Sequence, residues 1–334
     1  MMLPIGLSII KLYESLPNQQ KAAQSMAIPL FLGMAYAANI GGMSTLIGTP
    51  PNLVLASMSS EQGYPELSFS KWLVFALPLS MSLFLVCYGL LSRWLFRLER
   101  RPIDGLRTLI LAQVNALGGM KSGEKRVAWI LTCTALLWIF RGLLNRVPGL
   151  ENLSDTNIAI IAMISLFMVP AGKKAESLLV RRDISHLPWN IVLLFGGGLS
   201  LAKAMEISEV VLLVRTIIEG SNLQSLLLIT LIITLFSIFL TEVMSNVALV
   251  SVFIPVVFII SENLGFDHYA LAIPLTLGAS CAFMLPIATP PNAIAFSSNY
   301  LRVKDMTKAR LILNLIAWLV IALYSYWLLP YFSF

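Results

Sequence analysis

The sequence has little charge. Lys, Arg, Asp and Glu together make up 12% of its 334 residues, against about 25% in soluble domains. Only 17 residues are acidic and two are histidine. A soluble surface cannot be built from so few charges, which excludes a soluble enzyme, a nucleic-acid binder and a disordered scaffold. Cysteine is scarce too. Cys87, Cys133 and Cys281 sit in separate apolar stretches; their spacing suggests neither a metal site nor a disulfide framework, and they read as small core hydrophobes. His186 and His268 lie far apart, in or beside loops, and read as neither ligands nor catalysts. Gly196-Gly197-Gly198 is no phosphate loop, because the Walker Lys and the dinucleotide spacing are both missing; it reads as close helix packing or a re-entrant turn. Nothing here supports an ATP-driven pump or a membrane-embedded enzyme.

What is abundant is apolar surface: 57% hydrophobic residues and a mean hydropathy of +0.82. The chain reads as an all-α polytopic membrane protein. A span needs about 20 mostly apolar residues, and the clear candidates are Lys71–Leu95, Arg126–Leu144, Asn157–Gly172, Leu223–Leu240 and Leu311–Leu329. Trp72, Trp94, Trp318 and Trp327 lie near span ends, as interfacial anchors do. Arg141 and Arg146 read as outer interfacial charges, and Lys203 and Glu206 as snorkelling side chains. The basic stretch Arg93–Arg126 holds eight Lys or Arg and is expected in the cytoplasm. The basic loop with Lys173, Lys174, Arg181 and Arg182 follows two spans later, on the same side. Asn145–Thr156, between them, reads as external.

Other apolar runs are broken. Ala22–Ala38 meets Asn39-Ile40-Gly41-Gly42-Met43-Ser44-Thr45 and resumes as Pro51–Met58. Tyr269–Leu285 meets Pro286-Ile287-Ala288-Thr289-Pro290-Pro291-Asn292 and resumes as Ala293–Ser297. The two breaks share Thr-Pro-Pro-Asn at an offset of 240 residues. The loop after the first copy, Ser59–Ser70, has Glu61 and Glu66 and no base. The loop after the second, Asn299–Arg310, has Arg302, Lys304, Lys308 and Arg310. Equivalent segments therefore point in opposite directions, the arrangement of an inverted-repeat secondary transporter, whose sites lie at the midplane. The two repeats are assigned to residues 1–125 and 126–334.

The motif has a chemistry to match. Thr49 and Thr289 suit an N-cap; Pro50 and Pro290 suit the first helical turn. The half-helix that follows presents unpaired N–H groups and a positive dipole end, a natural anion site. Gly48 and Ala288 offer backbone carbonyls to a hard cation such as Na⁺. The alternative is two ordinary proline kinks. A second polar constellation, Thr241-Glu242-Val243-Met244-Ser245-Asn246-Val247, interrupts the apolar run Phe236–Ile260. A hairpin that enters and leaves on one side would carry Ser245-Asn246 at its tip; polar glue between helices is the other reading. Glu242 is either a proton or cation site or a carboxylate paired with backbone N–H or hydroxyl groups near the turn.

Together the two T-P-P-N segments and Thr241–Asn246 resemble the divalent anion:sodium symporter family (DASS), over essentially the whole chain. The resemblance implies an ion-transporter-like fold with re-entrant hairpins and unwound helices. It implies a homodimer in the plasma (inner) membrane and sodium-coupled transport of a dicarboxylate such as succinate or malate, of citrate, or of sulfate, by an elevator-type movement. It calls for Na⁺ as coupling ion, with no organic cofactor and no nucleic-acid partner. Carried over by match, Na⁺ would be held by Thr241, Met244, Asn246 and Ala288 at one site and by Gly48 at another. Substrate would touch Ser245, Asn246, Val247, Thr49, Pro50, Thr289 and Pro290. Val247 stands where the family usually has Thr, which exchanges a hydroxyl donor for a methyl. The first Ser-Asn-Thr hairpin of the family has no counterpart. Met2-Leu3-Pro4-Ile5 parallels Phe253-Ile254-Pro255-Val256, so the chain is expected to begin just after that hairpin tip, about 115 residues short of a complete first repeat. An N-terminally shortened chain that inserts without transporting alone is the competing expectation.

Overall fold

The computed structural model describes residues 2–15, 20–96, 106–172, 176–186, 225–285, 288–301 and 303–332, with single positions at 193, 197, 200 and 204. The described residues form twelve named α-helices: α1 (Met2–Ser15), α2 (Gln20–Met43), α3 (Pro50–Glu61), α4 (Phe69–Gly89, continued by a π-helical turn Leu90–Leu95), α5 (Leu106–Leu117), α6 (Ser122–Leu144), α7 (Asp155–Met168), α8 (Leu226–Leu240), α9 (Asn246–Leu264), α10 (His268–Ala279), α11 (Pro290–Phe296) and α12 (Val303–Leu328). Among the described residues the one β feature is an isolated bridge between Pro170 and Ser177. Ala23–Met43, Phe69–Leu95, Ser122–Leu144, Asn246–Leu264 and Leu311–Tyr331 are long and apolar enough to cross a membrane. Gly196, Gly198, Lys203, Glu206, Lys173, Lys174 and Arg302 lie outside what is described.

Two expected spans are shorter helices. Asn157–Gly172 becomes Asp155–Met168, of 14 residues, and Leu223–Leu240 becomes Leu226–Leu240, of 15. The first stops early because Val169 precedes Pro170, whose ring disfavours helical backbone at its neighbour. Val169 is extended, and its carbonyl accepts from Leu178 N–H at 2.8 Å.

The chain divides into two compact units. One comprises Ser68–Lys71 and Gly105–Trp189. In it α6 packs on α7. Arg141 is not an interfacial charge: it is buried and ion-pairs with Asp155 at 3.3 Å. Asp155 also accepts Phe69 N–H at 2.7 Å. Trp138 stacks on Phe69 and donates its indole N–H to the Asp155 carbonyl at 3.0 Å. Much of α6 stays apolar and exposed, including Trp129 and Leu131, as a lipid-facing helix would. Cys133 is exposed as well, so only Cys87 and Cys281 are core residues.

The other unit, Met1–Leu67, Trp72–Asp104 and Asn190–Phe334, holds both broken helices. Its packing is reciprocal. α2 packs on α1 and α11, while α10 packs on α9 and α3. Thus each long half (α2, α10) lies beside one returning helix and beside the short half of the other broken pair. α8 also lies on α10, where the crossing is close: a Cβ on Gly278 would come within 3.1 Å of Ser237 Cβ. Small residues at such crossings let backbones approach and exchange polar contacts, and Ser237 donates to the Leu275 carbonyl at 2.6 Å. Trp72 is fully buried and donates to the last carbonyl of α2, Met43 O, at 3.0 Å. It is an internal tie, not an interfacial anchor. Trp94 and Trp327 are exposed.

Candidate functional site

The first break falls later than the apolar pattern suggests. α2 runs through Asn39, Gly41 and Gly42 and ends at Met43. Its polar residue is stabilised from outside: the Asn39 amide nitrogen lies 3.2 Å from Thr289 Oγ1, 3.4 Å from the Ala282 carbonyl and 3.5 Å from Asn292 Oδ1. Residues 44–49 then turn tightly. A Cβ on Gly48 would fall 2.2 Å from the Gly42 carbonyl oxygen, so no larger residue fits this close approach.

The second break comes earlier than expected. α10 stops at Ala279 although Cys281-Ala282-Phe283-Met284-Leu285 is apolar. Side chains from elsewhere satisfy the backbone groups it frees. Glu242, 5% exposed, accepts Met284 N–H at 2.7 Å and Leu285 N–H at 2.9 Å, with the Asn314 amide at 3.0 Å. Asn292 donates to the Ala282 and Leu285 carbonyls at 2.9 and 3.2 Å, and Tyr36 to the Phe283 carbonyl at 3.4 Å. Pro286 and Ile287 lie outside the described residues.

The two T-P-P-N copies share a local geometry. Thr49 and Thr289 are both N-caps, at φ −137°, ψ 143° and φ −138°, ψ 151°. Pro50 and Pro290 are both first helical residues. Asn52 donates to Thr45 O at 2.9 Å and Asn292 to Leu285 O at 3.2 Å, the same bond at the same 240-residue offset. They differ at the hydroxyls. Thr289, buried, accepts Asn292 N–H at 3.4 Å. Thr49, half-buried, turns its oxygen to within 3.5 Å of Ser280 Oγ.

The polar turn Thr241–Ser245 separates α8 from α9 and meets the end of α10. Thr241 Oγ1 is buried and lies 2.8 Å from both Asn246 Oδ1 and the Ala279 carbonyl. Ser245 is the N-cap of α9 and is exposed, with no bond from its hydroxyl to the helix. Asn246 and Met244 are half-buried, Ala288 is half-buried in its own turn, and Pro290 is exposed. Val247 is buried in α9 at 8% exposure, packed more than presented. The structure thus brings Thr241 and Asn246 together, and ties Thr49, Thr241 and Thr289 to the single stretch 279–285 or to Asn39 opposite it. Asn39, Ser280, Asn52 and Asn292 were not singled out from sequence. The two motif asparagines had a signal, their identity in both copies; Asn39 and Ser280 had none beyond being polar in an apolar run.

Helices that are long and apolar enough to cross a membrane, with two discontinuous helices and a polar turn meeting at the stretch 279–285 among the described residues, are the build of a secondary transporter. The profile described as "Sodium:sulfate symporter transmembrane region" matches residues 1–332, and the chain belongs to that family. It is 33% identical over 335 residues to the sodium-dependent dicarboxylate transporter SdcS of Staphylococcus saprophyticus. It is 36% identical over 336 residues to the transporter of the same name from Staphylococcus aureus strain MRSA252. Each comparison covers 98% of this chain and 64% of the relative, so the chain spans about two thirds of the length of the relatives it matches.

Proposed function

We propose that this chain forms the substrate-carrying part of a sodium-coupled symporter for a divalent anion, with a dicarboxylate such as succinate or malate, or citrate, as substrate. The observation that carries the reading is that both like-built Thr-Pro-Pro-Asn copies, through Thr49 and Asn292, and the Thr241–Asn246 turn all bond to the one stretch 279–285. The reciprocal packing of α2 with α11 and α10 with α3 supports an inverted repeat, residues 1–125 against 126–334. Ser245, Asn246, Val247, Thr49, Pro50, Thr289 and Pro290 are assigned to the anion. Thr241, Met244, Asn246 and Ala288 are assigned to one Na⁺, and Gly48 to another. Asn246 sits where both ligands would meet: its amide can donate to a carboxylate and its oxygen can face a cation. Turn Thr241–Ser245 is read as the tip of a re-entrant hairpin, and the working protein as a homodimer moving substrate by an elevator-type step. Sulfate is the second reading, favoured by the methyl of Val247 in place of a hydroxyl.

The test is uptake of labelled succinate by proteoliposomes under an inward Na⁺ gradient, with sulfate and citrate as competitors. We expect gradient-dependent uptake, competed by dicarboxylates, and loss of it in Asn246→Ala at unchanged membrane abundance. Removing that amide leaves a desolvated ligand short of a partner worth about 1–3 kcal/mol. Uptake by Asn246→Ala equal to wild type, with Na⁺ dependence intact, would refute the site. Competition by sulfate alone would favour the second reading.

A further inference from the structure

Two tyrosine–glutamate pairs stand apart from the site and repeat its symmetry. Tyr64 follows α3; its phenol donates to Glu262 Oε1 near the end of α9 at 2.6 Å. The same ring stacks on His268 at the start of α10, with centroids 3.8 Å apart, and meets Phe258 of α9 edge-on. Tyr300 follows α11; its phenol donates to Glu14 Oε2 near the end of α1 at 3.1 Å. That ring stacks on Phe31 of α2, with centroids 5.6 Å apart. In each case the residue after a short half-helix grips a returning helix through a carboxylate and a long half-helix through a ring. In each case the grip crosses from one repeat to the other. The loops concerned are the acidic one after Thr49-Pro50-Pro51-Asn52 and the basic one after Thr289-Pro290-Pro291-Asn292, which charge assigns to opposite membrane faces.

We infer that Tyr64–Glu262 and Tyr300–Glu14 are paired latches, positioning residues that clamp the two repeats together at both ends so that the site-forming segments travel as one body. This rests on the inverted-repeat reading proposed above. Both latches are closed in one structure, which sets them apart from a gate. Contacts that alternate in an inverted-repeat cycle exchange between faces, one forming as its counterpart breaks. Two equivalent contacts formed at once belong to a body that persists through the cycle. Burial first, and then the bond to its glutamate, raises the pKa of each phenol above its ordinary value of 10.0. Each phenol therefore stays a donor below that pH.

The latches are tested by cross-linking. A tyrosine and a glutamate joined through their side-chain ends hold their Cα atoms too far apart for a disulfide. A short bifunctional thiol reagent is therefore applied to Tyr64→Cys/Glu262→Cys and to Tyr300→Cys/Glu14→Cys, with the native cysteines replaced. We expect both pairs to cross-link equally in Na⁺ plus succinate and without either, and the cross-linked protein to keep most of its succinate uptake. Reciprocal rates, one pair reacting faster as the other slows, or uptake abolished by either bridge, would show gates and overturn the inference. Cross-linking is scored in membranes without transport, so a chain that fails to take up succinate sinks the symporter reading and leaves the latch result standing. Tyr64→Phe and Tyr300→Phe keep the rings and lose the donor. Each is expected to raise the Na⁺ half-saturation about three- to ten-fold at normal abundance, whereas Glu262→Gln, which still accepts the phenol, stays near wild type. Lower abundance with unchanged half-saturation would mean a merely structural role and would also overturn it.

Discussion

A carboxylate that is 5% exposed inside an apolar unit survives only if donors replace its water. Glu242 has three, two from backbone N–H groups of the unwound stretch and one from Asn314. It takes the place of the helical partners that Met284 and Leu285 lack. Of the two roles open to Glu242 in the sequence, the structure displays the paired carboxylate. Glu242→Gln keeps the shape but turns one acceptor into a donor facing an N–H group. We expect a loss of about 1–3 kcal/mol, read as a lower thermal midpoint in detergent, with Glu242→Ala at least as costly. A midpoint unchanged in both variants would mean that the break holds itself open.

Each broken helix is a compromise between propensity and packing. Asn39-Ile40-Gly41-Gly42 has poor helix formers, yet it is helical because Asn39 has partners across the unit. Cys281–Leu285 has good apolar content, yet it is not helical because other side chains take its backbone groups. The glycines separate these effects. A Cβ at Gly41 meets nothing within 4 Å, while one at Gly48 would strike backbone at 2.2 Å. Gly41→Ala should be neutral or stabilising by up to about 1 kcal/mol. Gly48→Ala must move the turn before Thr49 and should cost about 1–3 kcal/mol or more. Thermal midpoints of the two variants, side by side, check this; equal midpoints would mean that the turn is pliable.

For the molecule as a whole, the charge asymmetry of the two loops after the T-P-P-N motifs makes a sidedness prediction. Glu61 and Ser297 are both exposed. With Cys133 replaced, Glu61→Cys should react with an impermeant thiol reagent from outside intact cells, and Ser297→Cys only after permeabilisation. Labelling of both from one side would end the inverted-repeat reading and, with it, the assignment of the two latches to opposite faces.

Membrane residence, the breaks at the two T-P-P-N segments and the likeness of those segments were legible in the residues, because each depends on local properties: hydropathy summed over a span, proline and threonine at a helix start, and identity at a fixed offset. The cap geometry of Thr49 and Thr289 and the place of Pro50 and Pro290 follow from the same local chemistry. Where each helix stops was not legible, since that depends on which distant group claims a backbone N–H or carbonyl. Asn39 and Tyr36 of α2, Glu242 of the turn after α8 and Asn292 of α11 reach the stretch 282–285 from three elements that sequence order keeps far apart. Trp72 and Arg141 illustrate the same limit: an amphipathic ring near a span end and a charge near a loop suit the interface by composition alone. Only the folded chain supplied the Met43 carbonyl and the Asp155 carboxylate that made burial affordable, because a buried polar group is stable just where a partner has been carried to it.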